Sequence, residues 1–340
     1  MNATKVAING FGRIGRMVFR RAMKDDQLDV IAINASYPVE TLAHLIRYDS
    51  VHGHYDGTVE IDGDHLVIDQ QVVQTVSNRN PAELPWDELG IDIVIEATGK
   101  FNSTEQAQPH IDAGAQKVVL TAPGKPADQT IVMGVNESDY NPNDHQVISN
   151  ASCTTNCLAP VAKVLHENFG IESGLMTTVH AFTNDQQNLD NPHKDLRRAR
   201  GCTQSIIPTS TGAAKAINDV LPDLKGKLHG MALRVPTPNV SLVDLVVDLE
   251  TDVTEEEVNQ AFVEAMNGEL NEYLSINQDP LVSIDYTTSP YSSIVDGLST
   301  MVMDNRKVKV LAWYDNEWGY SCRVVDLVRY VGNQLVIHQT

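Results

Sequence analysis

Cysteine is scarce in this 340-residue chain, at four residues (Cys153, Cys157, Cys202, Cys322), and no two form a C-x-x-C pair. A disulfide framework or a zinc finger is therefore excluded as the organising element, and a reducing, cytoplasmic compartment is expected. Basic charge is also short. Lys and Arg number 25 against 45 Asp and Glu, a net charge of −20, so no nucleic acid is expected as a partner held by bulk charge. Long apolar runs are missing, since stretches such as Ile91 to Ile95 and Leu242 to Leu249 fall far below the roughly 18 residues that a membrane span needs. No membrane partner is expected. Met1 to Lys5 leads straight into a strand-like segment with no basic region, apolar core and cleavage site, so export is not expected. Internal repeats, low-complexity tracts and Pro/Ser-rich linkers are absent too. What remains is 42% hydrophobic and 21% charged residues, the balance of a folded chain long enough for two domains.

From Lys5 to about Asn150, short β-branched runs (Val6 to Ile8, Val30 to Ile33, Ile91 to Ile95, Val118 to Leu120) alternate with helical periodicity, as at Val39 to Ile46. The pattern implies an α/β domain with a parallel sheet, with His65 to Ser77 as a hairpin added at its edge. After Asn150 the character changes. A helix over Thr154 to Phe169 leads into long alternating runs, Gly174 to Thr183, Lys227 to Val235, Ser241 to Leu249 and Val308 to Trp313, which suggest a mixed sheet. Thr254 and Glu257 have the spacing of a capping box at a helix start. A last helix, Ser321 to about Leu335, could pack on either domain.

Gly10-Phe11-Gly12-Arg13-Ile14-Gly15 follows the first strand and opens a helical pattern. In that context G-x-G-x-x-G points to a dinucleotide, with glycines making the tight turn that brings a pyrophosphate to backbone N–H groups at a helix N-terminus. An NAD site normally carries a carboxylate about 20 residues on, at the end of the second strand. Here the strand ends Ile33-Asn34-Ala35-Ser36. With no carboxylate there, and with Asn34 and Ser36 as small donors, the site has room for the 2′-phosphate of NADP, although no arginine adjoins them.

Cys153 stands where a strand gives way to a helix, and the N-terminal dipole is expected to lower its thiol pKa. Cys157, one turn on, lacks partners at ligand spacing and is read as a buried apolar residue. His180 lies in a β-rich run whose end could meet the top of that helix; it is either the base of a thiol nucleophile or a packed core histidine. His52-Gly53-His54 has no third ligand and reads as a loop, so no metal is expected. The basic segment His193 to Arg200 offers guanidinium groups to phosphate, or forms a salt-bridged loop or subunit interface; an RNA patch comes third because no aromatic platform is interleaved. Ser210 to Lys215 begins another helix and offers a second anion site.

Four segments carry a resemblance over essentially the whole chain: I-N-G-F-G-R-I-G-R at Ile8 to Arg16, S-N-A-S-C-T-T-N-C-L-A-P at Ser149 to Pro160, H-K-D-L-R-R-A-R at His193 to Arg200, and W-Y-D-N-E-W-G-Y at Trp313 to Tyr320. The sequence resembles phosphorylating glyceraldehyde-3-phosphate dehydrogenase. The resemblance implies an α/β Rossmann domain over 1–150, an α+β catalytic domain with a mixed sheet over 151–316, and a C-terminal helix, 317–340, that returns to the first domain. It makes Cys153 the nucleophile and His180 its base. Ser152, Thr154, Arg198, Thr211 and Gly212 would surround inorganic phosphate, and Thr183 and Arg234 would hold the substrate's phosphate. Cofactor contacts would come from Gly10, Gly12, Arg13, Ile14, Gly15, Asn34, Ala35, Ser36, Arg79, Thr98, Gly99, Thr121, Asn184, Asn191, Asn316 and Tyr320. A homotetramer is implied, with the basic loop reaching toward a neighbour's cofactor.

The chain departs from the NAD-dependent pattern at Ala35, where that pattern has Asp, and at Asn191, where it usually has Leu. Both departures resemble the NADP-preferring, gluconeogenic bacterial type 2 branch, so the expected cofactors are NADP, preferred, and NAD. The expected reaction joins D-glyceraldehyde 3-phosphate and inorganic phosphate through a Cys153 thioester. The alternatives are an erythrose-4-phosphate dehydrogenase, which would share the thiol chemistry, and a non-catalytic dinucleotide- or RNA-binding regulator.

Overall fold

The structure is a computed structural model and describes residues 3–338; Met1, Asn2, Gln339 and Thr340, the outer limits of the domains read from the sequence, lie outside them. The chain forms two compact units, one of Met1–Ile131, Glu137–Ala151 and Ser321–Thr340, the other of Val132–Asn136 and Ser152–Tyr320. The short excursion Val132–Asn136 into the second unit is invisible to periodicity. The last helix, Trp318–His338, is continuous and belongs from Ser321 to the first unit.

In the first unit the strand Thr4–Asn9 lies between Leu28–Asn34 and Ile93–Glu96, all parallel, and Lys117–Leu120, Val147–Ser149 and Gln71–Val76 extend the parallel sheet on either side. Ile93–Glu96 and Lys117–Leu120 are buried at every position, as strands covered on both faces must be, which is why Ile93 to Ile95 and Val118 to Leu120 read as apolar runs. The antiparallel pair Val59–Asp62 and His65–Ile68 is added at one edge. Because the chain leaves Thr4–Asn9 for Leu28–Asn34 on one side and later returns to Ile93–Glu96 on the other, the ends of these strands form a topological switch point, where open α/β sheets bind ligands. Register places Asn34, Asn9, Glu96 and Leu120 in one row at that edge.

The second unit is built on a mixed sheet in the order Ile207–Thr209, Leu228–Val235, Ile171–Ala181, Ser241–Leu249, Lys307–Tyr314, Ser293–Asp296, Leu274–Asn277. Strict alternation along Ser241–Leu249 buries Val243, Leu245, Val247 and Leu249 on one face. Helix Cys153–Phe169 packs on that sheet and on helices Ala213–Val220 and Glu255–Asn267. Glu255–Asn267 starts with a full capping box between Thr254 and Glu257. Among the described residues no helix is long and apolar enough to cross a membrane.

The start of helix Cys153–Phe169 is set by a sharp turn. Ala151 is buried and left-handed, with φ of 54°, a conformation costly for a residue with a Cβ. Its N–H is held by the Ser149 hydroxyl at 3.0 Å. Ser152 then caps the helix, accepting from Thr155 N at 3.0 Å, and Cys153 becomes the first helical residue. Ser152→Ala is expected to lower stability by about 1 kcal/mol through loss of the cap, and Ser152→Asn, which keeps an acceptor, to retain most of it. Urea unfolding at constant m-value checks both; an unshifted midpoint for the alanine variant would remove Ser152 from the capping role.

Candidate active site

Parallel register pairs His180 with Arg234 on adjacent strands of the second unit. The imidazole Nε2 of His180 lies 3.5 Å from the Cys153 Sγ at the helix start. On the far side, Nδ1 is 2.6 Å from the Ala181 carbonyl oxygen and 2.7 Å from Arg234 Nη1, which also donates to that carbonyl at 3.0 Å. A single Nδ1 either donates to the carbonyl or accepts from the guanidinium. Arg234 therefore competes with Ala181 for the tautomer of the base. If Arg234 donates to Nδ1, the proton sits on Nε2 facing sulfur; if Nδ1 donates to Ala181, Nε2 turns its lone pair to Cys153.

Burial and the Arg234 charge push His180 down to about 3, against the pull of the Ala181 carbonyl, so the imidazole rests neutral. Burial also pushes the Cys153 thiol up, and Arg234 works to lower it. The net direction for sulfur is opposite to the one expected from the helix dipole alone: desolvation outweighs the dipole in the isolated chain. Resting thiol and imidazole are thus a neutral pair, with Arg234 as the nearest charge able to shift it.

Behind them stands Tyr314, a residue of the W-Y-D-N-E-W-G-Y segment that motif reading left without a role. Its buried hydroxyl joins Thr154 Oγ1 at 2.9 Å and Thr178 Oγ1 at 2.8 Å, and its ring meets His180 edge-on at 5.9 Å. Cys157 is buried, its thiol directed to the Ala312 carbonyl at 3.7 Å. Among the described residues no group of three or more His, Cys, Asp or Glu is placed to hold a metal ion.

Arg198 is fixed rather than waiting. Its Nε donates to Thr209 Oγ1 at 2.9 Å and lies 3.6 Å from Asp195, and its Nη1 pairs with Asp185. Thr183 is tied to Gln186, through Thr183 N to Oε1 at 2.9 Å, and its hydroxyl accepts from Asp185 N. Arg200 pairs with Asp190 at 2.9 Å. The basic segment is thus partly neutralised, a salt-bridged loop in which Arg198 and Arg200 have carboxylate partners; two of these, Asp185 and Asp190, lie outside the motif and escaped its reading. Thr211 caps Ala213 N at 3.2 Å, and a Cβ on exposed Gly212 would meet nothing within 4 Å, which leaves open space at the start of helix Ala213–Val220. Asn184 and Asn191 are exposed on the loop, while Asn316 and Tyr320 are buried. The Ser241 hydroxyl accepts from Ala181 N at 3.0 Å and donates to Asn316 Oδ1 at 2.7 Å.

The remaining candidates lie in the first unit. Gly10 has φ of 93°, and a Cβ there would stand 2.7 Å from Thr98 N; a Cβ on Gly15 would collide with the Gly10 carbonyl. Around Gly12 there is open space, and the helix Arg13–Ala22 that follows has no side-chain cap from it. Such a cradle at a helix start fits a pyrophosphate. Arg13 commits its guanidinium to Asp49 at 2.9 and 3.0 Å. Asn34 corrects the expectation of a free donor: its Nδ2 donates to Asn9 Oδ1 at 2.6 Å and Asn78 O at 2.7 Å, and its Oδ1 accepts from Asn78 N at 2.9 Å. The same bonds bring the chain at Asn78 and exposed Arg79 beside the end of the Ala35 strand, so an arginine does stand near this edge. Ala35 is half-buried and Ser36 exposed. Thr98 and Thr121 turn their hydroxyls inward to the Glu96 side chain and carbonyl respectively, and Gly99 is exposed with φ of 70°.

Comparison with known proteins follows the same division. Residues 4–104 match the glyceraldehyde 3-phosphate dehydrogenase, NAD binding domain, and residues 152–316 match the C-terminal domain of the same family. A protein of Bacillus subtilis named glyceraldehyde-3-phosphate dehydrogenase 2 is 68% identical over 331 residues, 97% of each chain. Proteins of the same name from Staphylococcus aureus and Staphylococcus epidermidis are each 60% identical, over 99% and 97% of this chain and 98% and 96% of their own. With both parts matched and the similarity running nearly end to end, the chain belongs to the glyceraldehyde 3-phosphate dehydrogenase family.

Proposed function

We propose that this chain catalyses the reversible oxidative phosphorylation of D-glyceraldehyde 3-phosphate to 1,3-bisphosphoglycerate, with NADP preferred to NAD. The observation that carries the reading is the Cys153 thiol 3.5 Å from the His180 imidazole, with Arg234 against that imidazole. As Cys153 sulfur bonds to the aldehyde carbon, its thiol proton passes by way of His180 Nε2 to the carbonyl oxygen, and His180 Nε2 then takes the hydroxyl proton of the resulting hemithioacetal. The bound dinucleotide supplies the hydride acceptor. Loss of hydride and proton leaves a thioester on Cys153; a phosphate oxygen attacks its carbonyl carbon, the C–S bond breaks, and the electron pair returns to sulfur as the acyl phosphate departs. An aldehyde phosphate that draws Arg234 to itself releases Nδ1 to donate to Ala181, which presents the Nε2 lone pair to the reacting hydroxyl. Thr183 and Arg234 serve that phosphate; Ser152, Thr154, Arg198, Thr211 and Gly212 serve the incoming one.

Erythrose 4-phosphate, the alternative substrate, would use the same thiol, and rates with each aldehyde with and without phosphate separate the two. The presence of a paired thiol and imidazole speaks against a regulator without turnover. Exposed apolar side chains support a homotetramer: Leu175 and Met231 share one face of the second unit's sheet, and Leu189, Leu196 and Ile206 are 77%, 82% and 66% exposed on and beside the basic loop. Four cysteines, all free thiols, suit a reducing cytoplasm.

Cys153→Ser is expected to abolish oxidation and leave dinucleotide affinity intact, and His180→Asn to slow hydride transfer by about 10² to 10⁴-fold. Stopped-flow formation of the reduced cofactor measures both; substantial turnover by the serine variant would remove Cys153 from its role.

Arg234→Leu is expected to raise the KM for the phosphorylated aldehyde, and Arg198→Leu the KM for inorganic phosphate, since each removes a charge-assisted anion contact. Losing the Arg234 charge also raises the His180 pKa, so the acid limb of kcat/KM moves to higher pH in Arg234→Leu and by less in Arg198→Leu, whose charge depresses the imidazole more weakly. Equal effects of both variants on both KM values would show that the two anion sites are assigned wrongly.

Ala35→Asp is expected to lower kcat/KM with NADP and reverse the cofactor order, because a carboxylate at that strand end repels a 2′-phosphate and accepts the ribose hydroxyls. Initial rates at saturating aldehyde and phosphate check this; a parent favouring NAD tenfold, or undiminished NADP efficiency in the variant, would falsify the preference.

A further inference from the structure

Glu96 and His110 lie fully inside the first unit, 1% and 0% exposed, and no step above uses them. The Glu96 carboxylate is met only by donors: Thr98 N at 2.7 Å and the Thr98 hydroxyl on Oε1, and Asn9 Nδ2 at 2.5 Å and His110 Nε2 at 3.1 Å on Oε2. His110 must be a donor there, because the Trp86 indole N–H donates to its Nδ1 at 3.0 Å and so fixes the proton on Nε2. From Asn9 the chain of bonds continues through Oδ1 to Asn34, and from Asn34 to Asn78. The Glu96 backbone carbonyl adds Thr121, through N and Oγ1, both at 3.0 Å.

Each residue so held starts a loop at the switch-point edge: Asn9 the glycine turn, Asn34 the Ala35 end, Asn78 the Arg79 segment, Thr98 the Gly99 turn, and Thr121 the end of Lys117–Leu120. We propose that Glu96 and His110 are positioning residues for the dinucleotide, an acceptor-only carboxylate and a tautomer-locked imidazole that set the spacing of the loops around it. Acceptor-only character is what the geometry demands. A glutamine at 96 has one acceptor oxygen and one NH2, so whichever way it turns, its NH2 faces either Thr98 or the pair Asn9 and His110, all donors. Two donors face to face push one loop out of place. A carboxylate closes all four bonds at once, which is why this burial is tolerated.

This inference rests on the dinucleotide occupying the Gly10 to Gly15 edge, and the test separates the two. Isothermal titration of the full-length parent with NADP and NAD comes first; absence of binding overturns both readings. In Glu96→Gln the dinucleotide Kd is expected to rise about tenfold or more, as for one lost charge-assisted hydrogen bond. The KM for aldehyde and for phosphate, and the rate of Cys153 alkylation by iodoacetamide, should change less than about twofold, since those groups lie in the other unit. If that variant fails to fold, His110 decides. Gln at 110 offers an acceptor to the indole and a donor to Glu96, whereas Phe fills the volume and offers neither, so His110→Gln should bind dinucleotide better than His110→Phe. A histidine that only fills the core gives the reverse order, because Phe is the better apolar filler. Binding in which Phe equals or exceeds Gln, or a folded Glu96→Gln with parental Kd, overturns the proposal.

Discussion

The parallel register between Ile171–Ala181 and Leu228–Val235 is the constraint on which the geometry of Cys153, His180 and Arg234 rests. Side chains along a strand alternate between faces, so a slip of one residue would carry His180 away from the helix that bears Cys153 and would unpair it from Arg234. The register is held from both sides: Ser241–Leu249 pairs antiparallel with the histidine strand, and its buried alternation tolerates one alignment of Val243, Leu245 and Val247. Sheet packing far from this pair therefore fixes a distance of 3.5 Å between sulfur and nitrogen. Ala151 does the equivalent for the helix, forcing the turn that puts Cys153 at its first position.

Much of this was legible without coordinates, for reasons that differ by element. The run Ile91 to Ile95 announced itself because the strand Ile93–Glu96 is covered on both faces, and Ser241–Leu249 by alternation because its faces differ in burial. Gly10 and Gly15 could be read because a Cβ at either would collide with the neighbouring backbone, while Gly12 keeps the space before the helix open. Roles carried by motif resemblance, such as Cys153 and His180, arrived as assignments without geometry. What stayed hidden was whatever depends on pairing between distant segments. Nothing local to Asn34 shows that Asn9 and Asn78 consume its amide, and Asp185 looks like any exposed acid until Arg198 is found upon it. Glu96 and His110 escaped for the same reason: a buried carboxylate in a strand and a histidine in a helix carry no signature apart.

Electrostatics in the two units follow opposite plans. In the first, the buried Glu96 carboxylate is satisfied by donors at both oxygens, so its charge is committed to the loops that supply them. In the second, the charge nearest the thiol is a guanidinium with a divided allegiance, bonded to a carbonyl and to the imidazole through the same nitrogen. The first arrangement is rigid because every partner wants the same thing of it. The second can change, because its partners compete.

The pairing of Arg198 with Asp185 and Asp195 has a thermodynamic consequence. An anion arriving at this guanidinium does not fill a vacancy; it trades places with a carboxylate, as on an ion-exchange resin. The free energy of capture is then the difference between two charge-assisted bonds rather than the whole of one, and water regains a carboxylate as it loses the anion. Such a site would hold its anion loosely and let it go readily, because the displaced carboxylate is tethered beside it and leaves its negative charge in the same loop.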